Sequence, residues 1–195
     1  MGFRAMFTDY PPRSQKLYAA FLESDKSASL EVPDNQRLCS LAKAVENAME
    51  SSQQSSVGLA CADFLAAAAH FYRVSNPHVR VLAARPIRVR EGGWASELFG
   101  DYDPEKILIR IWMRTAVRKK VTSFGTFLAT LCHEFCHHLD CEKFGFKDSP
   151  HTRGFYERVA ALYHHARGTP QKRLLWIPMG GSRWRIDWRR MNRSS

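Results

Sequence analysis

One helical segment, from about residue 123 to residue 143, constrains this chain more than any other feature. Apolar residues recur along it at helical spacing and predict a face buried in a core; they are Phe124, Phe127, Leu128, Leu131, Phe135 and Leu139. The same segment contains His133-Glu134-Phe135-Cys136-His137. Because residues four apart lie on neighbouring turns of one helix face, we expect His133, His137 and Asp140 to project together, opposite the core.

This spacing predicts a metal site. Two imidazoles one turn apart can bind one zinc ion at ~2.0–2.1 Å. Glu134 projects beside the pair, where its carboxylate can hold a water molecule bound to the ion. Zinc lowers the pKa of such a water towards ~7, and the carboxylate can take its proton as the water attacks a carbonyl. The expected ligands are therefore His133 and His137, with Glu134 as the catalytic base.

A catalytic zinc needs a third protein ligand and one open position. A second amphipathic helix is expected to begin at His151, and it carries an alternative ligand at Glu157. Six helical residues would separate these two by ~9 Å, so we do not expect both to bind. We favour His151 and keep Glu157 as the alternative.

The rest of the chain predicts an α+β fold. Apolar residues with a helical period indicate a helical layer over residues 11–75, interrupted by a polar linker at 51–56. A period of two then predicts strands at 79–82, 87–90 and 106–112, with a break at Gly92-Gly93 and a turn at 100–104. We expect a small mixed or antiparallel sheet over 79–112, and helices at the site over 123–167.

The motif and its surroundings resemble a known class of enzymes. His133-Glu134-Phe135-Cys136-His137, a loop, and then His151-Thr152-Arg153-Gly154-Phe155 resemble the zincin metallopeptidases of the SprT-like and YgjP-like types. The resemblance implies a zincin-like fold, zinc ligands His133, His137 and His151, Glu134 as base, and peptide-bond hydrolysis. It covers about residues 95–167, where the turn at 100–102 and the strand at 107–111 resemble the edge strand that aligns the substrate in such enzymes.

The resemblance leaves the subfamily open. No cysteine follows Cys141, whereas SprT-like proteins often end in a cysteine-rich zinc ribbon. The position of Glu157 resembles the gluzincin pattern, in which a glutamate on the second helix is the third ligand. A further alternative is a hydrolase that uses the same metal site to cleave a bond other than a peptide bond.

Other residues near the motif have simpler roles. We expect Cys132, Cys136 and Cys141 to be small buried apolar residues rather than metal thiolates. His138 is expected to be packed and hydrogen-bonded, whereas Asp140 either orients an imidazole or is a solvated charge.

Charge is concentrated near the end of the sequence. The formal net charge is +10, and residues 169–195 supply +6 of it through seven Lys and Arg residues against Asp187. Trp184, Ile186 and Trp188 are expected on one face of a hairpin whose turn is at Gly180-Gly181.

We therefore divide the chain into a domain at 1–168 and a basic, aromatic extension at 169–195. Arginine beside tryptophan suits nucleic acids, so a DNA or other polyanion partner is predicted, and a nucleic-acid-binding protein with a structural zinc is the alternative function.

The composition also bears on the cellular compartment in which the chain is expected. No apolar run reaches the ~18–20 residues that a membrane-spanning helix needs. The first residues lack an apolar signal core, and the chain has five cysteines, which we expect to stay reduced in the cytoplasm.

Overall fold

The computed structural model of this chain describes residues 6–89 and 95–191. This part of the chain is a mixed α+β structure, as predicted, with six helices and three small sheets. In chain order its elements are α1 (Gln15–Lys26), α2 (Arg37–Glu50), α3 (Gln54–Tyr72), β1 (His78–Ala84), β2 (Ile87–Val89), β3 (Ala95–Glu97), β4 (Gly100–Asp103), β5 (Leu108–Arg114), α4 (Phe124–Glu142), α5 (Arg153–Arg167), β6 (Trp176–Met179), β7 (Arg183–Ile186) and α6 (Trp188–Met191).

The N-terminal helices lie where the apolar period predicts them. On α2, Leu38, Ala42, Val45 and Met49 are buried at helical spacing. The predicted linker is shorter than expected, because α3 already begins at Gln54. Together, α2 and α3 supply much of the core. Burying each fully enclosed aliphatic side chain contributes ~1.5–3 kcal/mol.

The main sheet is mixed, with strand order β1-β5-β4. β1 runs parallel to β5, and β4 runs antiparallel to it. The prediction of a turn at 100–104 is wrong for Gly100–Asp103, which pair with β5 as strand β4. The strand predicted at 106–112 is displaced, because Ile107 has a φ of +48° and β5 begins only at Leu108. Its buried face therefore consists of Ile109, Ile111 and Met113.

A second sheet follows β1. β2 pairs with β3 in the antiparallel direction. The predicted break at Gly92-Gly93 and the end of the strand at Arg90 lie outside the described residues.

Helix α4 packs against β4, β5 and α5, and α5 packs in turn against α2 and α1. The junction between α1 and α5 is unusually close: a Cβ atom at Gly154 would lie 2.1 Å from the carbonyl oxygen of Ser24. Only glycine permits this approach. The Arg153 guanidinium also forms two-pronged hydrogen bonds with the Asp25 carboxylate. The start of α5 is therefore held by α1, a helix whose sequence indicates no role beyond packing.

The C-terminal segment forms the predicted hairpin, β6 paired with β7. Gly181 has a φ of +71° in the loop that joins them. The prediction that Trp188 continues the second strand is wrong, because α6 begins at that residue. Among the described residues of the predicted extension, Leu174, Ile186 and Met191 are buried in the main core. The division of the chain near residue 168 stays a prediction.

In the part of the chain that the structure describes, no helix combines the length and the apolarity needed to cross a bilayer.

Candidate metal centre

Helix α4 presents two histidines to the same point. Ser123 caps the helix, because its Oγ accepts a hydrogen bond from the Thr126 N–H at 3.4 Å. Ten residues later, His133 and His137 project from successive turns, and their ring centroids lie 4.8 Å apart. The local rule that predicts their proximity, the helical period, therefore holds in the structure.

The third histidine comes from the segment that enters α5. The helix begins at Arg153, and Thr152 is its N-cap, with Oγ1 accepting from the Phe155 N–H at 3.1 Å. The expectation that a helix begins at His151 is therefore wrong by two residues. His151 precedes the cap, outside the helical path, and this position turns its imidazole back towards α4.

The three imidazoles converge through their Nε2 atoms. His133 Nε2 lies 3.0 Å from His151 Nε2 and 3.2 Å from His137 Nε2. Four nitrogens bonded to one zinc at ~2.0–2.1 Å in a tetrahedron are ~3.3–3.4 Å apart, so the spacing fits such an ion closely. Among the described residues, these three histidines form the one group of metal-binding side chains whose ligand atoms converge.

Glu157, the alternative third ligand, does not belong to this cluster. Its Oε1 accepts a hydrogen bond from the Trp176 indole N–H at 3.3 Å. The Glu157 side chain therefore contacts the C-terminal hairpin rather than the three imidazoles.

Hydrogen bonds fix the tautomers of two of the imidazoles. Ser149 Oγ lies 2.7 Å from His137 Nδ1 and donates its own proton to Asp140 Oδ2 at 3.1 Å. The hydroxyl must then accept from an N–H at Nδ1, which leaves the lone pair of His137 on Nε2. The Asp9 carboxylate, which can only accept, lies 3.2 Å from His151 Nδ1 and sets the same tautomer there. Two lone pairs therefore point into the cluster, as metal ligands require.

The electrostatic surroundings of His133 and His137 favour the neutral form of both imidazoles. Burial, together with the neighbouring His151, lowers the pKa of His137 to about 3. Burial and both neighbouring histidines hold the pKa of His133 well below its ordinary value. Neither ring carries a proton on both nitrogens at neutral pH, so each keeps a lone pair that a cation can bind.

Glu134 lies beside the cluster and under strand β4. It is 5% exposed. Burial raises its pKa to about 8, with a smaller contribution from the negative charge of Asp101. A cation held by the adjacent histidines would favour the ionised carboxylate and offset this cost. The contact with β4 is close: a Cβ atom at Gly100 would lie 2.9 Å from Glu134 Oε1.

An aromatic wall closes the inner side of the cluster. The Phe155 ring is fully buried, with centroids 4.9 Å, 4.6 Å and 5.2 Å from the rings of His133, His137 and His151. The Tyr156 ring stacks on His151 at 5.8 Å. These two side chains shield one side of the three nitrogens from water, and Phe155 does so from a position four residues after His151.

The structure also decides the roles of the neighbouring residues. His138 is fully buried and hydrogen-bonded to Tyr102 and to the Ser75 carbonyl, which confirms its packing role. Cys132 and Cys136 are buried, as predicted, but Cys141 is only partly so.

Asp140 is not a solvated charge. It is fully buried, and it faces the Arg158 guanidinium, whose Nη2 donates to Asp140 Oδ1 at 2.7 Å. Asp140 reaches His137 through Ser149, so its effect on the imidazole is indirect. Its position also corrects the expectation that this part of α4 faces away from the core.

Three residues of this site carry no signal in the sequence. Asp9 and His151 are 142 positions apart, and no pattern joins them. Arg158 lies on the expected apolar face of α5 but ties Asp140 to the end of α1, donating to the carbonyl oxygens of Ser24 and Ser27. Ser149 lies in a polar loop whose composition indicates only a turn.

Both tryptophans of the C-terminal hairpin, Trp176 and Trp184, contact side chains of α5. The Arg153 guanidinium lies 4.5 Å from the centroid of the Trp184 ring. Arg183 lies 4.4 Å from the centroid of Tyr10. Arg185 and Arg189 remain exposed. The surface available to a polyanion is therefore mainly cationic, and less aromatic than the sequence suggests.

Comparisons with protein-family models, with curated proteins and with solved structures find no match to this chain.

Proposed function

We propose that this chain is a zinc-dependent metallopeptidase with a zincin-like arrangement, in which His133, His137 and His151 bind the ion. The observation that carries the proposal is that the Nε2 atoms of His137 and His151 both lie within 3.2 Å of His133 Nε2, beside a buried glutamate. Three nitrogen ligands leave the fourth tetrahedral position open, which is the ligand number of catalytic rather than structural zinc sites.

The proposed chemistry assigns one task to the metal and the others to the protein. When bound, zinc would polarise a peptide carbonyl and make water more acidic. The Glu134 carboxylate would accept the proton of the attacking water and deliver it to the leaving amine. The buried, partly apolar surroundings of Glu134 strengthen these charge interactions.

Strand β4 supplies a place for the substrate backbone. Within the described residues β4 pairs on one side only, with β5, so its other side is an edge of the sheet. An extended peptide can add to such an edge through main-chain hydrogen bonds. Gly100 brings this edge against Glu134, and a peptide bond held there would lie next to the base.

A proteolysis assay tests the proposal. The zinc-loaded protein is expected to cleave unfolded casein, to stop when a chelator removes the ion, and to recover when zinc returns. The His151→Ala variant should be inactive, whereas His70→Ala, which removes an exposed histidine of α3, should match the wild type. Failure of the zinc-loaded wild type to cleave casein, its own chain or other unfolded proteins would contradict peptidase activity.

A polyanion partner is a second proposal, supported by the exposed Arg185 and Arg189 and by the net charge of +10. In gel-shift experiments with single- and double-stranded DNA, we expect binding at low salt that weakens steeply as salt rises. The variant Arg185→Ala with Arg189→Ala should bind more weakly, and absence of any shift at low salt would remove the proposal. If DNA binds but no protein is cleaved, the alternative of a nucleic-acid-binding protein with a structural zinc is favoured.

The proposed location is the cytoplasm. All five cysteines are free thiols in the structure, which suits a reducing compartment.

A further inference from the structure

Asp9 and His151 are joined by three hydrogen bonds. The Asp9 carboxylate oxygen Oδ2 accepts from the His151 backbone N–H at 2.9 Å and lies 3.2 Å from its ring nitrogen Nδ1. The Asp9 N–H donates to the His151 carbonyl oxygen at 2.9 Å. Both the main chain and the imidazole of the third histidine are therefore held by one residue near the start of the chain.

The segment that carries Asp9 is fixed by the C-terminal hairpin. We name residues 6–9 the N-terminal strap. The Thr8 N–H donates to the Trp184 carbonyl at 2.8 Å, and the Trp184 N–H donates to Thr8 Oγ1 at 2.9 Å. The Ile186 N–H donates to the Met6 carbonyl at 3.2 Å, and Phe7 bridges Arg185 in the antiparallel direction. The N-terminal strap thus connects the hairpin to the imidazole cluster, as an extended segment hydrogen-bonded to β7.

We propose that Asp9 is a positioning residue for the third metal ligand, and that the C-terminal hairpin holds the N-terminal strap so that Asp9 can do this. The inference rests on the proposed zinc site. His151 lies outside α5, so no helix fixes its imidazole. A carboxylate at Nδ1 fixes both the orientation of the ring and the tautomer with its lone pair on Nε2. Asp9 contacts the ring on the side away from the other two histidines, so it acts through His151 rather than on the ion.

The exposure of Asp9 separates this role from a general structural one. Its side chain is 52% exposed, so replacing it removes little buried surface and should leave the fold intact. Partners of this kind typically contribute ~10–100-fold to metal affinity. A loss of affinity without a loss of folded structure is therefore the specific expectation.

The test compares Asp9→Ala, Asp9→Asn and Asp63→Ala in the full chain. Asp63 is an exposed aspartate of α3 and serves as the control. The zinc dissociation constant is measured by chelator competition, folding by circular dichroism of the metal-free protein, and ligand geometry by the visible spectrum of the cobalt-substituted protein. We expect Asp9→Ala to raise the dissociation constant ~10–100-fold and to change the cobalt spectrum, with normal circular dichroism. Asp9→Asn, whose amide oxygen still accepts from the ring, should recover part of the affinity, and Asp63→Ala should match the wild type.

The outcomes distinguish this inference from the proposed function. If the wild type binds zinc and cleaves protein, but Asp9→Ala has the same dissociation constant and cobalt spectrum, the positioning role is overturned and the metallopeptidase proposal stands. The role is also overturned if Asp9→Ala loses folded structure in the metal-free state and Asp9→Asn recovers no affinity, because Asp9 is then merely structural. If the wild type binds no zinc, both proposals fail.

Discussion

Replacing Glu134 by glutamine is expected to lower kcat/KM for proteolysis by ~10²–10⁴-fold, while the protein keeps its zinc. Glutamine has nearly the same shape, and Glu134 is not among the three converging ligands, so the metal site should be preserved. The amide cannot accept the proton of the attacking water, so the proposed reaction loses its base.

The measurement compares casein cleavage and bound zinc in Glu134→Gln, in the wild type and in Glu105→Gln. Glu105 is exposed near the start of β5, so its variant controls for the loss of a carboxylate elsewhere. Proteolysis within a few-fold of the wild type would show that Glu134 is not the base. Loss of zinc together with activity would instead indicate that Glu134 helps to hold the ion.

Replacing Arg158 by methionine is expected to destabilise the fold by ~3–5 kcal/mol, because the buried Asp140 loses its partner charge. The side chains of this pair are 1% and 0% exposed. Arg158 also satisfies the Ser24 and Ser27 carbonyl oxygens at the end of α1. Removing it therefore leaves a buried carboxylate and two carbonyl groups with fewer hydrogen bonds.

The pH dependence of this effect has a definite sign. Burial raises the pKa of Asp140 to about 6, although Arg158 and Ser149 favour the charged form. A carboxyl whose pKa is higher in the folded than in the unfolded state destabilises the fold once it ionises, and protonation removes that cost. Removing Arg158 raises the pKa further, so the variant should lose more stability at pH 8 than at pH 5.

Urea unfolding of Arg158→Met at these two pH values measures the effect. Arg37→Met, at an exposed position at the start of α2, is the matched control and should change stability by less than ~0.5 kcal/mol. An equal loss at both pH values would contradict the assigned role of the Asp140 charge. A loss below ~1 kcal/mol would show that the pair contributes little.

The parts of this structure that follow from local rules are the parts that the sequence predicts. The helical period places His133 and His137 together, and the sequence predicts His151 near the entry to α5, although the helix begins two residues later, after the Thr152 cap. Strand β4 was not predicted, because Gly100–Asp103 has the composition of a turn. Its pairing depends on contacts beyond the strand: the Asp101 carboxylate binds the Arg110 guanidinium at 2.7 Å and 2.9 Å, and Tyr102 binds His138.

The residues that hold the imidazoles in place make contacts between segments that are far apart in the sequence. Such contacts leave no periodic pattern in the sequence. Asp9 contacts His151 from the N-terminal strap, which is hydrogen-bonded to the C-terminal hairpin. Arg158 faces inward because Asp140 and the carbonyl groups at the end of α1 compensate its charge. A buried arginine on an apolar helix face has no local signature, since its partners come from two other helices.

The metal content of the purified protein tests the central claim most directly. Elemental analysis by mass spectrometry should find one zinc ion per chain in the wild type, in Glu157→Ala and in His70→Ala. It should find none in His151→Ala or in the variant that lacks both His133 and His137. A wild type that binds no divalent ion when zinc is supplied, or a His151→Ala variant that binds zinc as tightly as the wild type, would contradict the three-histidine centre.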